Sequence, residues 1–99
     1  MARLKDLVEK IRSKNAGPFW VTIDVFCFND GSIAEVSDRL QTDLVADLFK
    51  TAFTDIRRFE QPEIDVIKFS FPRPNVQGTR QDRDMHGAAY GVILEEMGV

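Results

Sequence analysis

The stretch FWVTIDVFCF, residues 19–28, is the most apolar run in the chain and decides the fold. Its side chains alternate with period two, so that one set of positions reads Phe, Val, Ile, Val, Cys and the other Trp, Thr, Asp, Phe, Phe. Because both sets are largely apolar, the pattern predicts a central β-strand that is covered on both faces.

The segment before this strand predicts a helix. Residues 3–12, RLKDLVEKIR, place leucine, valine and isoleucine at helical spacing. Asn15, Gly17 and Pro18 follow as a signal that ends a helix. We therefore expect a first helix that stops shortly before the central strand.

The segment after the strand predicts a turn and two helices. The sequence NDGS at residues 29–32 is typical of a turn. Ser32 and Glu35 have the spacing of a capping box, which predicts a helix from that point. Thr42 has the character of a second N-cap residue, so another helix is expected to follow it.

The C-terminal half predicts two further strands and a last helix. Residues 56–60 and 64–71 are strand candidates, and prolines end the second of them. A polar loop is expected over residues 72–81, and a helix over residues 82–97. The predicted inner stripe of that helix consists of Met85, Ala88, Ala89, Val92 and Ile93.

This order of elements predicts an α+β fold, a two-layer sandwich with a small ferredoxin-like sheet covered by helices. With 99 residues, the chain is expected to be one domain spanning residues 1–99. Three strands leave open sheet edges, which predicts that a homo-oligomer or a partner chain covers them.

Composition and charge restrict the classes of function. The net charge is −3. The first 19 residues hold five basic and two acidic side chains, residues 20–65 hold four basic and ten acidic ones, and residues 66–99 hold four of each. No broad basic face is evident, so no nucleic-acid partner is expected. No apolar run approaches the length of a bilayer span, which predicts no membrane partner. The chain has a single cysteine and its first residues do not resemble a signal peptide, which favours the cytoplasm.

The first candidate site is the basic segment RSKNAG. The segment supplies a forked guanidinium group from Arg12, a compact positive charge from Lys14, and directional hydrogen bonds from Ser13 and Asn15. Such a set of groups suits a carboxylate or phosphate. Gly17 would allow close approach of the backbone to such a ligand. The alternative is a solvated helix end, where basic side chains neutralise the exposed carbonyl groups.

The second candidate site is the loop PRPNVQGTRQDRD, residues 72–84. It supplies Arg73, Arg80 and Arg83, and it leads through Asp84 into the predicted start of the last helix, where anions are favoured. The alternative is a surface loop whose arginines pair with its own aspartates, since such pairs are common and weak.

Three single residues have side chains of a type that can take part in catalysis. Asp24 interrupts an apolar strand and must be paired, which favours an ordering contact with Arg12 or Lys14 over a role as general base. His86 and Cys27 have the residue type for proton transfer and nucleophilic attack, but a helix surface and structural burial are the better interpretations. No spacing indicates a metal ligand set, and none indicates a cofactor.

Three segments carry a family resemblance: LKDLVEKIRSKNAGPF, TIDVF and FPRPNVQGTRQDRDMHGA. Together they resemble a short bacterial family, domain of unknown function 4387, over nearly the whole chain. That family is similar in turn to the small ferredoxin-like C-terminal domain of acyclic terpene utilisation (AtuA-like) proteins. There the basic segment reads RSGDKG, so Arg12, Ser13 and Gly17 match, while residues 14–16 differ.

The resemblance implies a companion chain, because in the larger proteins this domain is joined to a large, catalytic-looking domain. The implied function is a small subunit of a two-component enzyme acting on carboxylic acids or their acyl-CoA esters, with lyase or hydro-lyase chemistry as the implied reaction class. A small anionic metabolite would then bind the basic segments. The alternative is a non-catalytic oligomeric module that binds a metabolite.

Overall fold

The computed structural model describes residues 2–17, 19–73 and 89–99. It contains four strands and three helices within those ranges, besides short 3₁₀ turns. The elements are β1 (Lys10–Asn15), β2 (Trp20–Phe26), α1 (Ile33–Arg39), α2 (Thr42–Phe49), β3 (Arg57–Gln61), β4 (Val66–Pro72) and α3 (Ala89–Glu95).

The strands form one antiparallel sheet in the order β1-β2-β4-β3. Two hairpins, β1–β2 and β3–β4, meet through their second strands, so β2 and β4 lie at the centre. Since β4 is antiparallel to both β2 and β3, these two strands run parallel, and α1 and α2 form the crossover between them. The predicted α+β fold is therefore confirmed, with one more strand than the sequence indicated.

The core lies between the helices and one face of the sheet, which we call the helix face. Its central rows are fully buried apolar side chains: Val21, Ile23, Val25, Ile67, Phe69 and Phe71. The alternate positions of β2 face the other way; Thr22 is buried there, but Trp20, Asp24 and Phe26 are only half-buried. The prediction that β2 is buried on both faces is therefore wrong, whereas its central position in the sheet is confirmed.

The predicted first helix is also wrong. Its residues form a single 3₁₀ turn over Leu4–Asp6 and then the edge strand β1, which pairs with β2 in the register Ile11 to Val25. Gly17 belongs to the hairpin turn instead of a helix end, with a φ of +80° that favours glycine. The apolar residues predicted for the helix are still buried, because their spacing also suits a turn followed by a strand: Leu4, Val8 and Ile11.

The helices begin differently from the predicted caps. Ser32 precedes α1 in a helical conformation and makes no side-chain cap; its backbone N–H instead donates to an Asp30 carboxylate oxygen at 2.9 Å. Thr42 is the first residue of α2, and Gln41 takes the flanking position. The helix starts were thus placed within one residue, but the predicted hydrogen bonds are not formed.

The last helix has a different inner face from the predicted stripe. In the described part, α3 spans Ala89–Glu95, and Val92 and Ile93 are 60% and 47% exposed. Leu94 is fully buried, and Tyr90 packs against the core. Residues 82–88, including Met85 and Ala88, lie outside the described part of the chain.

Candidate functional site

The alternation of β1 divides the first candidate segment between two faces of the sheet. Ser13 and Asn15 point to the helix face, opposite the buried Ile23 and Val21 of β2. Arg12 and Lys14 point to the other face, which we call the open face, and are exposed there. The four side chains therefore do not converge on one ligand, because neighbours in a strand project in opposite directions.

On the helix face, Ser13 joins β1 to α3. The backbone N–H of Gly91, the third residue of α3, donates to Ser13 Oγ at 2.8 Å. A Cβ atom on Gly91 would lie 3.2 Å from that oxygen and 3.3 Å from the Ser13 nitrogen. The missing side chain of Gly91 therefore lets α3 lie close to β1, and this contact fixes which side of α3 faces inward.

Asn15 and Arg73 bring the two candidate segments together. A guanidinium N–H of Arg73 donates to Asn15 Oδ1, and the Arg73 backbone N–H donates to the carbonyl of Phe19 at 2.8 Å. Arg73 is only 7% exposed, and its guanidinium lies 5.7 Å from the ring centre of Tyr90. We call Ser13, Asn15, Arg73 and Tyr90 the Arg73 junction.

The aromatic core supports this junction from below. The Tyr90 ring lies 5.8 Å from that of Phe49 and 6.1 Å from that of Phe71, and the last two rings stack at 5.0 Å. Tyr90 therefore presents one side to the core and another to the guanidinium. Because Tyr90 is itself held by the core, its contact with the guanidinium restricts the position of Arg73 at the start of the second candidate segment.

On the open face, Arg12, Lys14, Asp24 and Phe26 line a shallow cleft of about 380 Å³, together with Ser13. Asp24 lies opposite Arg12 in the sheet register, but its ion pair is with Lys68 of β4, at 3.8 Å from Nζ to Oδ1. The sequence predicted a basic partner on β1 for this carboxylate. The partner lies on β4 instead, because the register also places Lys68 directly opposite Asp24.

The remaining candidates contribute less to the described site. Arg80, Arg83, Asp84 and His86 lie outside the described residues. Gly17 takes the positive φ of the hairpin turn, and no heavy atom of a described residue beyond its chain neighbours lies within 4 Å of a Cβ built on it.

Arg58 is a residue that sequence reasoning missed. It points from β3 to the helix face and donates to the carbonyls of Leu40 at 2.5 Å and Ser37 at 2.9 Å, and to the side chain of Thr42 at 3.3 Å. These bonds satisfy carbonyl groups at the end of α1, where the helix itself supplies no donors. The sequence feature that could have identified Arg58 is an arginine at an inward-facing position of an amphipathic strand. That feature is visible only once the strand register is known.

Cys27 follows β2 and is 3% exposed, as the structural interpretation predicted. Burial, together with smaller contributions from the nearby carboxylates of Asp65 and Asp30, raises the pKa of its thiol from 9.0 to about 11. The thiolate needed for nucleophilic attack is therefore disfavoured at neutral pH. This environment suits a packing role.

The described ranges contain neither a metal-binding cluster nor a membrane-spanning helix. No group of three or more histidine, cysteine, aspartate or glutamate side chains there could hold a metal ion. No helix there is long and apolar enough to cross a membrane. What the described residues do offer is hydrogen-bond donors and positive charge at two places, the Arg73 junction and the open face.

Comparison with known proteins gives one match. No curated protein and no solved structure is significantly similar to the chain. The model of one family, Domain of unknown function (DUF4387), matches residues 4–97 and so covers the strands, the helices and both candidate segments. The chain belongs to the DUF4387 family.

Proposed function

We propose that this protein is the small subunit, or accessory domain, of a two-component lyase acting on carboxylic acids or their acyl-CoA esters. Its contribution is an anion-binding pocket built on the Arg73 junction. The observation that carries the proposal is the hydrogen bond from Arg73 to Asn15, because it unites two segments that are 58 residues apart in sequence.

The chemistry of the junction suits a carboxylate. Arginine stays protonated at all relevant pH values, and its forked N–H groups match the two oxygens of a carboxylate. The low exposure of Arg73 strengthens that interaction, because a charged hydrogen bond is stronger away from water. Asn15 and Tyr90 hold the guanidinium in place, so a ligand binds a preorganised group.

The sheet supports the resemblance to the small domain of AtuA-like proteins. A ferredoxin-like domain has the chain order β-α-β-β-α-β. Moving its last strand to the front gives β-β-α-β-β-α, which is the order found here when α1 and α2 count as one crossover. We propose that the fold is a ferredoxin-like sheet with permuted connections, in which β1 takes the outer place beside β2.

The companion chain in this proposal is a large AtuA-like protein. Support comes from the two edge strands β1 and β3, whose outer backbone groups no other described strand pairs. Apolar side chains are also exposed next to these edges, including Phe19 after β1 and Ile64 after β3. A partner or a second copy of the chain would cover such surface.

The test is reconstitution with a large AtuA-like chain encoded in the same genome. Binding of a branched carboxylate and of its CoA ester is measured by calorimetry, and turnover is measured for the complex. We expect Arg73→Lys and Asn15→Ala each to weaken binding by about tenfold or more, the scale of one charged hydrogen bond. Arg39→Gln, which removes an exposed arginine paired with Glu35, is the matched control and should bind normally.

Binding without turnover in the complex would favour the metabolite-binding module over the enzyme subunit. Absence of carboxylate binding by both the chain and the complex would refute the proposed pocket. Near-ultraviolet circular dichroism of each variant separates loss of binding from loss of folding.

A further inference from the structure

The open face collects positive charge. Its members are the alternate residues that the strand register places on the side away from the helices. Five of them are basic and one is acidic: Lys10, Arg12, Lys14, Arg57 and Lys68 against Asp24. In a chain with a net charge of −3, such a face means that the acidic side chains are concentrated elsewhere.

The sequence concealed this face. Counted along the chain, the region from residue 20 to 65 is acidic, and the basic residues of β1 looked like the end of a helix. The sheet brings Arg57 and Lys68 to the same side as three basic residues of β1, because every second residue of each strand faces that side. The premise for expecting no nucleic-acid partner, the lack of a basic face, therefore does not hold in the folded chain.

Aromatic rings lie among these charges. The Arg57 guanidinium is 5.2 Å from the ring centre of Trp20, and the Lys10 ammonium is 4.8 Å from that of Phe26. Phe59, opposite Lys68 in the register, is 51% exposed. Rings on a strand surface beside positive charges can stack on planar groups of a ligand while the charges bind its anionic groups.

The basic side chains of β1 also form a row along the strand. Lys10, Arg12 and Lys14 follow one another along β1 at two-residue intervals, roughly 7 Å apart in a strand, and all three are exposed. A single carboxylate would engage one of them, whereas a chain of anionic groups can engage the row. The rings lie on β2 and β3, to one side of this row.

We propose that the open face binds single-stranded nucleic acid, with phosphates along the β1 row and bases against Trp20, Phe26 and Phe59. An acidic polypeptide would satisfy the charges but offers no planar groups for the rings. A duplex would satisfy the charges too, but its bases are stacked inside the helix. The proposed carboxylate pocket uses other residues on the helix face, so the two proposals can fail independently.

The test uses the full chain and fluorescently labelled 12-nucleotide oligo-U and oligo-dT. We expect binding to both, with a Kd of about 10⁻⁴ to 10⁻⁶ M at physiological salt, the range typical of non-specific complexes, and a lower Kd at low salt. The logarithm of the binding constant should fall with the logarithm of salt concentration by roughly 0.7 per phosphate contacted. Trp20 is the only tryptophan, so quenching of its emission reports directly on the open face.

Two variants and a matched control localise the binding. The triple variant Lys10→Gln, Arg12→Gln, Lys14→Gln should weaken binding at least tenfold and reduce the salt slope by about 2. Phe59→Ala removes an exposed ring and should weaken binding about fivefold. The control Arg3→Gln, Lys5→Gln, Arg39→Gln removes the same charge from outside the open face and should bind within twofold of the original chain.

Three results would overturn the proposal. The first is no binding of either oligonucleotide at low salt by the folded chain. The second is equal binding of polyglutamate, with no effect of Phe59→Ala, which would indicate an acidic protein partner instead. The third is a control variant that loses as much affinity as the β1 variant, since binding would then depend only on overall charge.

Discussion

Arg57 and Arg58 are neighbours in β3 with opposite roles, because they project to opposite faces of the sheet. Arg58 donates to Ser37 and Leu40 on the helix face, and its side chain is 18% exposed. We expect Arg58→Ala to lower the free energy of unfolding by about 2–4 kcal/mol, since carbonyl groups at the end of α1 lose their donors. Urea denaturation measures the change.

The matched control for that prediction is Arg57→Ala. This side chain is exposed on the open face and contacts Trp20, an interaction that contributes less than about 1 kcal/mol in such a setting. Equal destabilisation by the two substitutions would contradict the assignment of Arg58 as the residue that holds the end of α1. Arg58→Lys should be little more stable than Arg58→Ala, because an ammonium group lacks the forked N–H groups with which a guanidinium reaches several acceptors.

Cys27 allows a prediction about pH. Its pKa rises from 9.0 to about 11 on folding, chiefly through burial, so the folded chain holds the proton more tightly than the unfolded chain. The stabilisation is complete below pH 9 and is lost as the pH rises through about 11. We expect Cys27→Ser to flatten the decline in unfolding free energy between pH 9 and pH 11, compared with the original chain.

Thiol labelling gives an independent measurement of the same pKa. In the folded protein, alkylation by iodoacetamide should remain slow at neutral pH and accelerate only as the pH approaches 11. Fast labelling at neutral pH in native conditions, at a rate equal to that in urea, would show that the thiol is accessible and that burial does not control it.

At the scale of single residues, the sequence predicted burial better than backbone conformation. Leu4, Val8 and Ile11 are buried as expected, although the expected helix is a turn followed by a strand. Apolar side chains three or four residues apart suit both structures over so short a segment. The contact between Asn15 and Arg73 joins two segments that the sequence offered as separate candidate sites.

At the scale of elements, β1 shows what the sequence could not decide. A strand is stabilised by pairing with another strand, which can lie near to it or far from it along the chain. The pairing of β1 with β2 depends on the hairpin turn at Gly17. A glycine followed by a proline is compatible with a helix end and with a hairpin turn, so the local signal was ambiguous. Once β1 is a strand, its alternation separates Arg12 and Lys14 from Ser13 and Asn15, which no helix would do.

The central position of β2 supports a stability prediction. Ile23 is fully buried between Ser13 of β1 and Phe69 of β4 in the register. We expect Ile23→Ala to cost about 2–5 kcal/mol, because a cavity forms where the surrounding sheet cannot collapse. Val92→Ala, on the exposed side of α3, should change stability by less than about 0.5 kcal/mol. A near-neutral effect of Ile23→Ala in thermal unfolding would contradict a packed helix face at this position.

The contact of α3 with β1 supports a second prediction for an element. Gly91→Val places two further carbon atoms where a Cβ already meets Ser13 at 3.2 Å, so α3 must move away from the sheet. We expect a loss of about 2–3 kcal/mol, more than the gain in helix propensity over glycine can offset. Combining it with Ser13→Gly should recover part of the loss. Equal destabilisation in both backgrounds would show that the contact does not limit packing.

At the scale of the whole molecule, the two ends of the described chain hold each other. Arg3 pairs with Gly98 in an isolated antiparallel bridge, and Leu4 N–H donates to the Met97 carbonyl at 2.8 Å. Leu4 is fully buried, so this pairing closes the core beneath α3. Exposed ion pairs from Arg3 and Lys5 to Glu96 lie beside it.

The backbone pairing and the ion pairs make different contributions, which a pair of variants separates. Deleting residues 97–99 removes the hydrogen bonds of Leu4 and Val99 and uncovers Leu4, so we expect a loss of about 2–4 kcal/mol in urea denaturation. Glu96→Gln removes only exposed charge and should have a small effect that salt abolishes. The hydrogen bond from Lys5 lowers the pKa of Glu96, so its contribution is present above the unfolded-state pKa and is lost as the pH falls. If the deletion were as mild as Glu96→Gln, the contacts of α3 with the sheet and the aromatic core would be sufficient to hold it.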